Sequence, residues 1–180
     1  ARELGTNYIQ VWGQMTGGNN CDSLPYPNPV LGSVDDFRKA IAEVQRWGGH
    51  VTFYVSSQFW KVDFGDAPVL GTTPRELIPA SVPIWDWNEW REYALRSYSG
   101  GCFGDSELSE ADQAKYGTRW QRTVPCPYTD AWANRHLQYW CVDQYGGTYG
   151  ANGIYLDETC AAGERYCFAT NHGHEHHGIW

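Results

Sequence analysis

The chain has 180 residues, 42% hydrophobic and 16% aromatic, with ten Trp and twelve Tyr, which is enough apolar material for one domain of ordinary size and too much for a disordered segment. Thirteen Lys and Arg stand against 21 Asp and Glu, a formal net charge of −8. No stretch gathers cations into a face that would neutralise phosphates, so nucleic acid and anionic membranes are excluded as partners, and no window offers the roughly 18 apolar residues of a membrane-spanning helix.

The first predicted element is a strand in "TNYIQVWGQ" (6–14), where Ile9 and Val11 alternate with Tyr8, Gln10 and Trp12. Turn-forming "MTGGNN" and Pro-rich "DSLPYPNP" follow. "SVDDFRKAIAEVQRWGGH" then predicts an amphipathic helix: Ser33 and Asp36 resemble a capping box, Val34, Phe37, Ile41 and Val44 share a face, and Gly48 with Gly49 ends it. "HVTFYVSSQ" (50–58) predicts a second strand with Val51, Phe53 and Val55 on one face and Thr52, Tyr54 and Ser56 on the other.

From about 59 to 117 regularity fades into a long irregular excursion, with a short helix expected at 85–98; such a stretch inside a compact domain marks a functional insertion. "TRWQRTVPCP" (118–127) predicts a strand stopped by Pro127. A helix follows, with Asp130 as N-cap and Gly146 with Gly147 as its end. The last strand is "NGIYLDE" (152–158), with Ile154 and Leu156 on one face and Tyr155 and Asp157 on the other.

Strands separated by helices imply parallel pairing through right-handed crossovers. The expected fold is therefore α/β, the N-terminal portion of a (β/α)8 TIM barrel, in a single partial domain spanning 1–180. A whole barrel needs about 250 residues, and about half its strands are present. An open Rossmann-like sheet is the alternative, but G-x-G-x-x-G is missing after every strand. The chain opens on Ala1 and stops at Trp180 after a histidine run, which reads as two cuts in a longer polypeptide. Exposed sheet edges would then make residues 1–180 alone poorly soluble.

In such folds sites lie at the carboxyl ends of strands. Asp157 and Glu158 end the last strand, and neighbours on a strand point to opposite faces. Asp157, on the face of Tyr155, is thus the candidate reactive carboxylate, with Glu158 beside it as the nearest second carboxyl, because glycoside hydrolysis uses two. Aromatic rings stack on the C–H faces of sugars while amides bond hydroxyls, which makes Gln10, Trp12, Tyr54 and Tyr155 candidate substrate-binding residues. His172 and His174, in "CFATNHGHEHHG", join them as a histidine-rich substrate loop.

His-x-His with Cys167 and Glu175 nearby could instead hold a transition metal. No distant third ligand can be assigned, so no metal or cofactor is expected. The six cysteines lack Cys-x-x-Cys spacing. Their even number permits disulfides in an exported protein, and free buried thiols fit as well. The compartment stays open, leaning to an extracellular or periplasmic one, and the oligomeric state is not legible.

The blocks "YIQVWGQ", "LGSVDDFRKAIAEVQRWGGHVTFYV", "TRWQRTVPCP", "GANGIYLDETC" and "CFATNHGH" resemble those of an uncharacterised bacterial family with a glycoside-hydrolase-like TIM barrel, whose members are much longer. That family is similar at a distance to the barrels of α-galactosidases and α-glucosidases, where an Asp ending the fourth strand is the nucleophile. The matching positions are Gln10, Trp12, Gly13, Cys126, Pro127, Asp157, Glu158, Cys167, His172, Gly173 and His174. The resemblance implies a sugar-hydrolase-like barrel of carbohydrate metabolism and no particular reaction; the leading reading of the residues is a retaining glycosidase with Asp157 as nucleophile and Glu158 or another residue as acid/base. The alternatives are a non-catalytic carbohydrate-binding barrel and a metal-dependent hydrolase using the His-rich C-terminal segment.

Overall fold

The computed structural model describes residues 2–12, 26–56, 60–61, 91–116, 119–157, 165–175 and 178–179. After a 3-10 turn at Arg2–Leu4 the elements are β1 (Tyr8–Val11), α1 (Val34–Arg46), β2 (His50–Ser56), β3 (Trp60–Lys61), β4 (Gly104–Glu107), α2 (Glu110–Tyr116), β5 (Trp120–Thr123), α3 (Ala131–Thr148), β6 (Gly153–Asp157), β7 (Tyr166–Cys167) and β8 (Gly178–Ile179). No helix among the described residues is long and apolar enough to cross a membrane.

The principal sheet has the order β1-β2-β6, with both pairings parallel. Every residue of β2 after His50 is buried, as befits a central parallel strand covered on both faces. One face carries Val51, Phe53 and Val55, which form a core with Ile41 of α1 and Trp140 and Tyr145 of α3, and Val34, Phe37 and Val44 pack against it. Phe53 is 1% exposed, stacked on Tyr145 at 5.2 Å between ring centroids and tilted on Phe37 at 5.3 Å. Burying such a side chain contributes about 1.5–3 kcal/mol.

α1 starts where its sequence says it should. The Ser33 hydroxyl accepts the Asp36 N–H at 3.1 Å, and the Asp36 carboxylate accepts the Ser33 N–H at 3.0 Å, so two of the four unpaired donors of the first turn are satisfied reciprocally.

Asn152 holds β6 in register. Its side-chain oxygen accepts the Val51 N–H at 2.9 Å and Gln45 Nε2 at 3.0 Å, and its own N–H donates to Val51 O at 2.9 Å. From there Phe53 pairs with Ile154 and Val55 with Leu156 toward the helices, while Tyr54 pairs with Tyr155 and Ser56 with Asp157 on the opposite face.

Three expectations need correction. The described residues of 118–127 do not join the parallel sheet: β5 pairs antiparallel with β3 and β4 in a separate sheet of order β3-β5-β4. Only the short α2 intervenes between β4 and β5, which allows local antiparallel return where a parallel crossover needs more chain. Arg119 clamps the turn by donating Nε and Nη2 to the two oxygens of Glu107 at 2.9 and 3.0 Å. β6 is thus the next parallel neighbour of β2.

The described part of 85–98 is not helical. Ala94 bridges Pro125 and Arg96 bridges Cys102, because Ala94 and Leu95 are 0% exposed and Leu95 belongs to a second core with Val124, Cys126, Cys167 and Ala169. Burial against that strand end overrides the local helical spacing. α3, finally, is wound with wide π turns through both Gly146 and Gly147 to Thr148. Asp130 makes no side-chain cap; it accepts Asn134 Nδ2 at 2.9 Å instead. The chain turns out of the helix at Gly150, whose φ of 77° is open to glycine at little cost.

Candidate functional site

Asp157 closes β6, and both of its oxygens are engaged. The Tyr54 hydroxyl donates to Oδ2 at 2.8 Å and the Tyr155 hydroxyl to Oδ1 at 3.1 Å. These donors come from adjacent parallel strands at paired register positions, so strand pairing itself aims two phenols at one carboxylate. Trp12, just past β1, lies against Tyr54 with ring centroids 4.6 Å apart, and Tyr54 and Tyr155 are 5.9 Å apart.

Exposure divides the roles. Tyr54 is 8% exposed, whereas Trp12 and Tyr155 are 56% and 44% exposed, giving one anchored donor and two open aromatic faces. The hydrogen bond to Asp157, with its charge, raises the Tyr155 phenol above its ordinary value. The two phenols fix the orientation of the carboxylate through one hydrogen bond to each oxygen. Gln10 stands exposed on the same face, paired in register with Thr52 and two residues from Trp12. Glu158, Gly13, Gln14, Ser57 and Gln58 lie outside the described residues.

His172 and His174 gather elsewhere. His172 is 4% exposed; its Nε2 meets the Glu92 carbonyl at 2.7 Å and its Nδ1 faces Cys167 Sγ at 3.4 Å. With both nitrogens taken inside the protein, His172 has nothing left to offer a sugar. His174 Nδ1 contacts the Glu175 carbonyl at 2.6 Å, and its Nε2 is buried without a hydrogen-bond partner. Gly173, at φ 76°, sets the two rings edge to face at 5.9 Å.

Cys126, two residues beyond Val124 in the second core, completes the group. Cys126, Cys167, His172 and His174 each present one ligand atom, all within 4.8 Å of one another, and both thiols are 0% exposed. Hydrogen bonding from Cys126 holds Cys167 far below the ordinary thiol range, and the same bond with burial pushes Cys126 up. The distant residue that the sequence did not connect to the histidine segment is Cys126. The available signal was a lone Cys-Pro in one block and Cys-x4-His-x-His in another, with no spacing rule to join them.

Two concavities among the described residues lie apart from both groups. One of about 380 Å³ is lined by α1 residues including Arg38 and Gln45 with Tyr149, and one of about 330 Å³ by residues before and within α1. Neither includes Asp157 or the four-residue cluster.

The family model described as a domain of unknown function (DUF6259) matches residues 81–179, more than half of the chain and the part holding Asp157 and all four clustered residues. A Bacteroides thetaiotaomicron protein bearing the name "Putative glycoside hydrolase" is 25% identical over 138 residues, covering 77% of this chain and 16% of its own length. The chain thus spans less than a fifth of that relative. No solved structure matches.

Proposed function

The chain belongs to the DUF6259 family, and on that premise we propose that it is part of a glycoside hydrolase in which Asp157 is the reactive carboxylate. One observation carries this reading: a carboxylate at the end of a parallel strand, held by two tyrosine hydroxyls at 2.8 and 3.1 Å beside an exposed tryptophan. Likeness to a protein named as a glycoside hydrolase supports the substrate class.

In this mechanism Trp12 and Tyr155 stack on sugar C–H faces while Gln10 bonds a hydroxyl. Tyr54 and Tyr155 fix the carboxylate so that one oxygen meets the anomeric carbon as oxocarbenium character develops. A second carboxyl, Glu158 or one on another strand end, protonates the leaving oxygen; a separation near 5 Å would give retention and a larger one inversion. The three parallel strands, with helices on the face opposite Asp157, are compatible with the front of a (β/α)8 barrel.

The test is Asp157→Asn in the full-length protein, assayed on a panel of aryl glycosides. Turnover should fall at least 1,000-fold, about 4 kcal/mol of transition-state stabilisation, while saturable glycan binding survives. Unchanged turnover refutes the assignment. Glycan binding by a wild-type protein that turns over nothing favours the non-catalytic carbohydrate-binding barrel.

A further inference from the structure

We propose that Cys126, Cys167, His172 and His174 form a four-coordinate structural metal site, with zinc as the ion that fits it. The ligand atoms of the four side chains lie within 4.8 Å of one another. In a tetrahedral site with bonds of about 2.0–2.3 Å the ligand atoms stand roughly 3.3–3.8 Å apart. The 3.4 Å between Cys167 Sγ and His172 Nδ1 is already such an edge. Two thiolates with two imidazoles are the donor set of tetrahedral zinc, and two thiolates cancel the ion's charge, so the buried site is neutral.

The outer contacts are those of metal-bound histidines. Each imidazole has one nitrogen on a backbone carbonyl, His172 Nε2 on Glu92 at 2.7 Å and His174 Nδ1 on Glu175 at 2.6 Å. A carbonyl accepts only from N–H, which fixes the tautomer and leaves the other nitrogen with its lone pair exposed to the cluster. For His174 that nitrogen is Nε2, buried and without a hydrogen-bond partner; a metal supplies one.

Two other readings account for less. A disulfide between the cysteines would leave the aim of both histidines unexplained. A nucleophilic Cys–His pair needs substrate access, and both thiols are 0% exposed. Four protein ligands leave no open position for water, so the ion is structural and not a Lewis acid in a reaction. It would join the end of the β5 segment, the backbone at Glu92 and the segment that follows β6. This proposal does not depend on Asp157 being catalytic.

The experiment is elemental analysis of the full-length protein, purified without added metal and dialysed, beside Cys126→Ser, His174→Ala and a His176→Ala/His177→Ala control. One zinc per chain is expected in the wild type and the control, with at least a fivefold loss in Cys126→Ser and His174→Ala. If either variant fails to fold, cobalt exchanged into the wild type decides. Tetrahedral ligand-field bands with thiolate-to-cobalt charge transfer support the site, and octahedral or sulfur-free spectra overturn it. Absence of metal, with Cys126 and Cys167 titrating as free thiols or joined as a disulfide, also overturns it, as does full zinc content in the folded variants.

Discussion

Replacing Asn152 with Ala tests whether one amide sets the register that carries Asp157 to its place. The change removes the acceptor of the Val51 N–H, which sits at 2.9 Å on a residue that is 3% exposed, and the acceptor of Gln45 Nε2 at 3.0 Å. Leaving the backbone donor unpaired costs about 1–3 kcal/mol and losing the side-chain bond about 0.5–1.5, so the β2–β6 pairing should weaken by about 1.5–4.5 kcal/mol. Both partners are donors, so Asn152→Asp keeps the acceptor and should retain most of the pairing. Hydrogen exchange read by mass spectrometry on peptides covering 50–56 and 153–157 is the assay, because protection reports the local opening free energy. Asn152→Ala should exchange roughly 12- to 1,600-fold faster than wild type, and Asn152→Asp within a few-fold of it. Acceleration of less than about threefold in the Ala variant, or equal acceleration in both, would refute the clamp.

Gly49→Ala should be costly, because an added Cβ would lie 2.6 Å from Val44 Cγ1 and 2.8 Å from the Val44 carbonyl oxygen. Overpacking of this kind costs about 1–3 kcal/mol. Calorimetry should show a lowered melting temperature, while Gly101→Ala, whose Cβ would meet only Ser97 Oγ at 3.6 Å, should melt like wild type. A pH effect is expected at the start of α1. The Ser33 hydroxyl, then the Ser33 N–H, hold Asp36 below the ordinary carboxylate value of 3.8. Its folded pKa is lower than its unfolded one, so the cap is fully present above 3.8 and is lost as pH falls through the lowered value. Exchange of amides 34–38 should rise on acidification through that window in the wild type and show no such step in Asp36→Asn.

The proposed metal and the proposed carboxylate divide the molecule between them. Asp157 rests on the parallel sheet and its aromatic core, whereas Cys126 and Cys167 belong to the second core, with His172 and His174 grouped beside them. The chain reaches the metal cluster within ten residues of Asp157, at Cys167.

What could be read directly from the residues was local. The Ser33–Asp36 box, the α1 face of Val34, Phe37, Ile41 and Val44, and the opposite facing of Leu156 and Asp157 follow from hydrogen-bond reach and from periods of 3.6 and 2, which act between near neighbours. Tyr155 and Asp157 were legible as face-mates for the same reason; that Tyr54 would donate to the same carboxylate required the β2–β6 register. Tertiary structure alone decided that β5 turns antiparallel, that 91–98 pairs with Pro125 instead of coiling, and that α3 runs past two glycines. β5 returns antiparallel because only a short connection separates it from β4, whereas at Leu95 burial in the second core outweighs propensity. The convergence of Cys126 with Cys167, His172 and His174 was likewise a tertiary outcome: ligands brought together by packing from separate segments leave no period or fixed spacing along the chain.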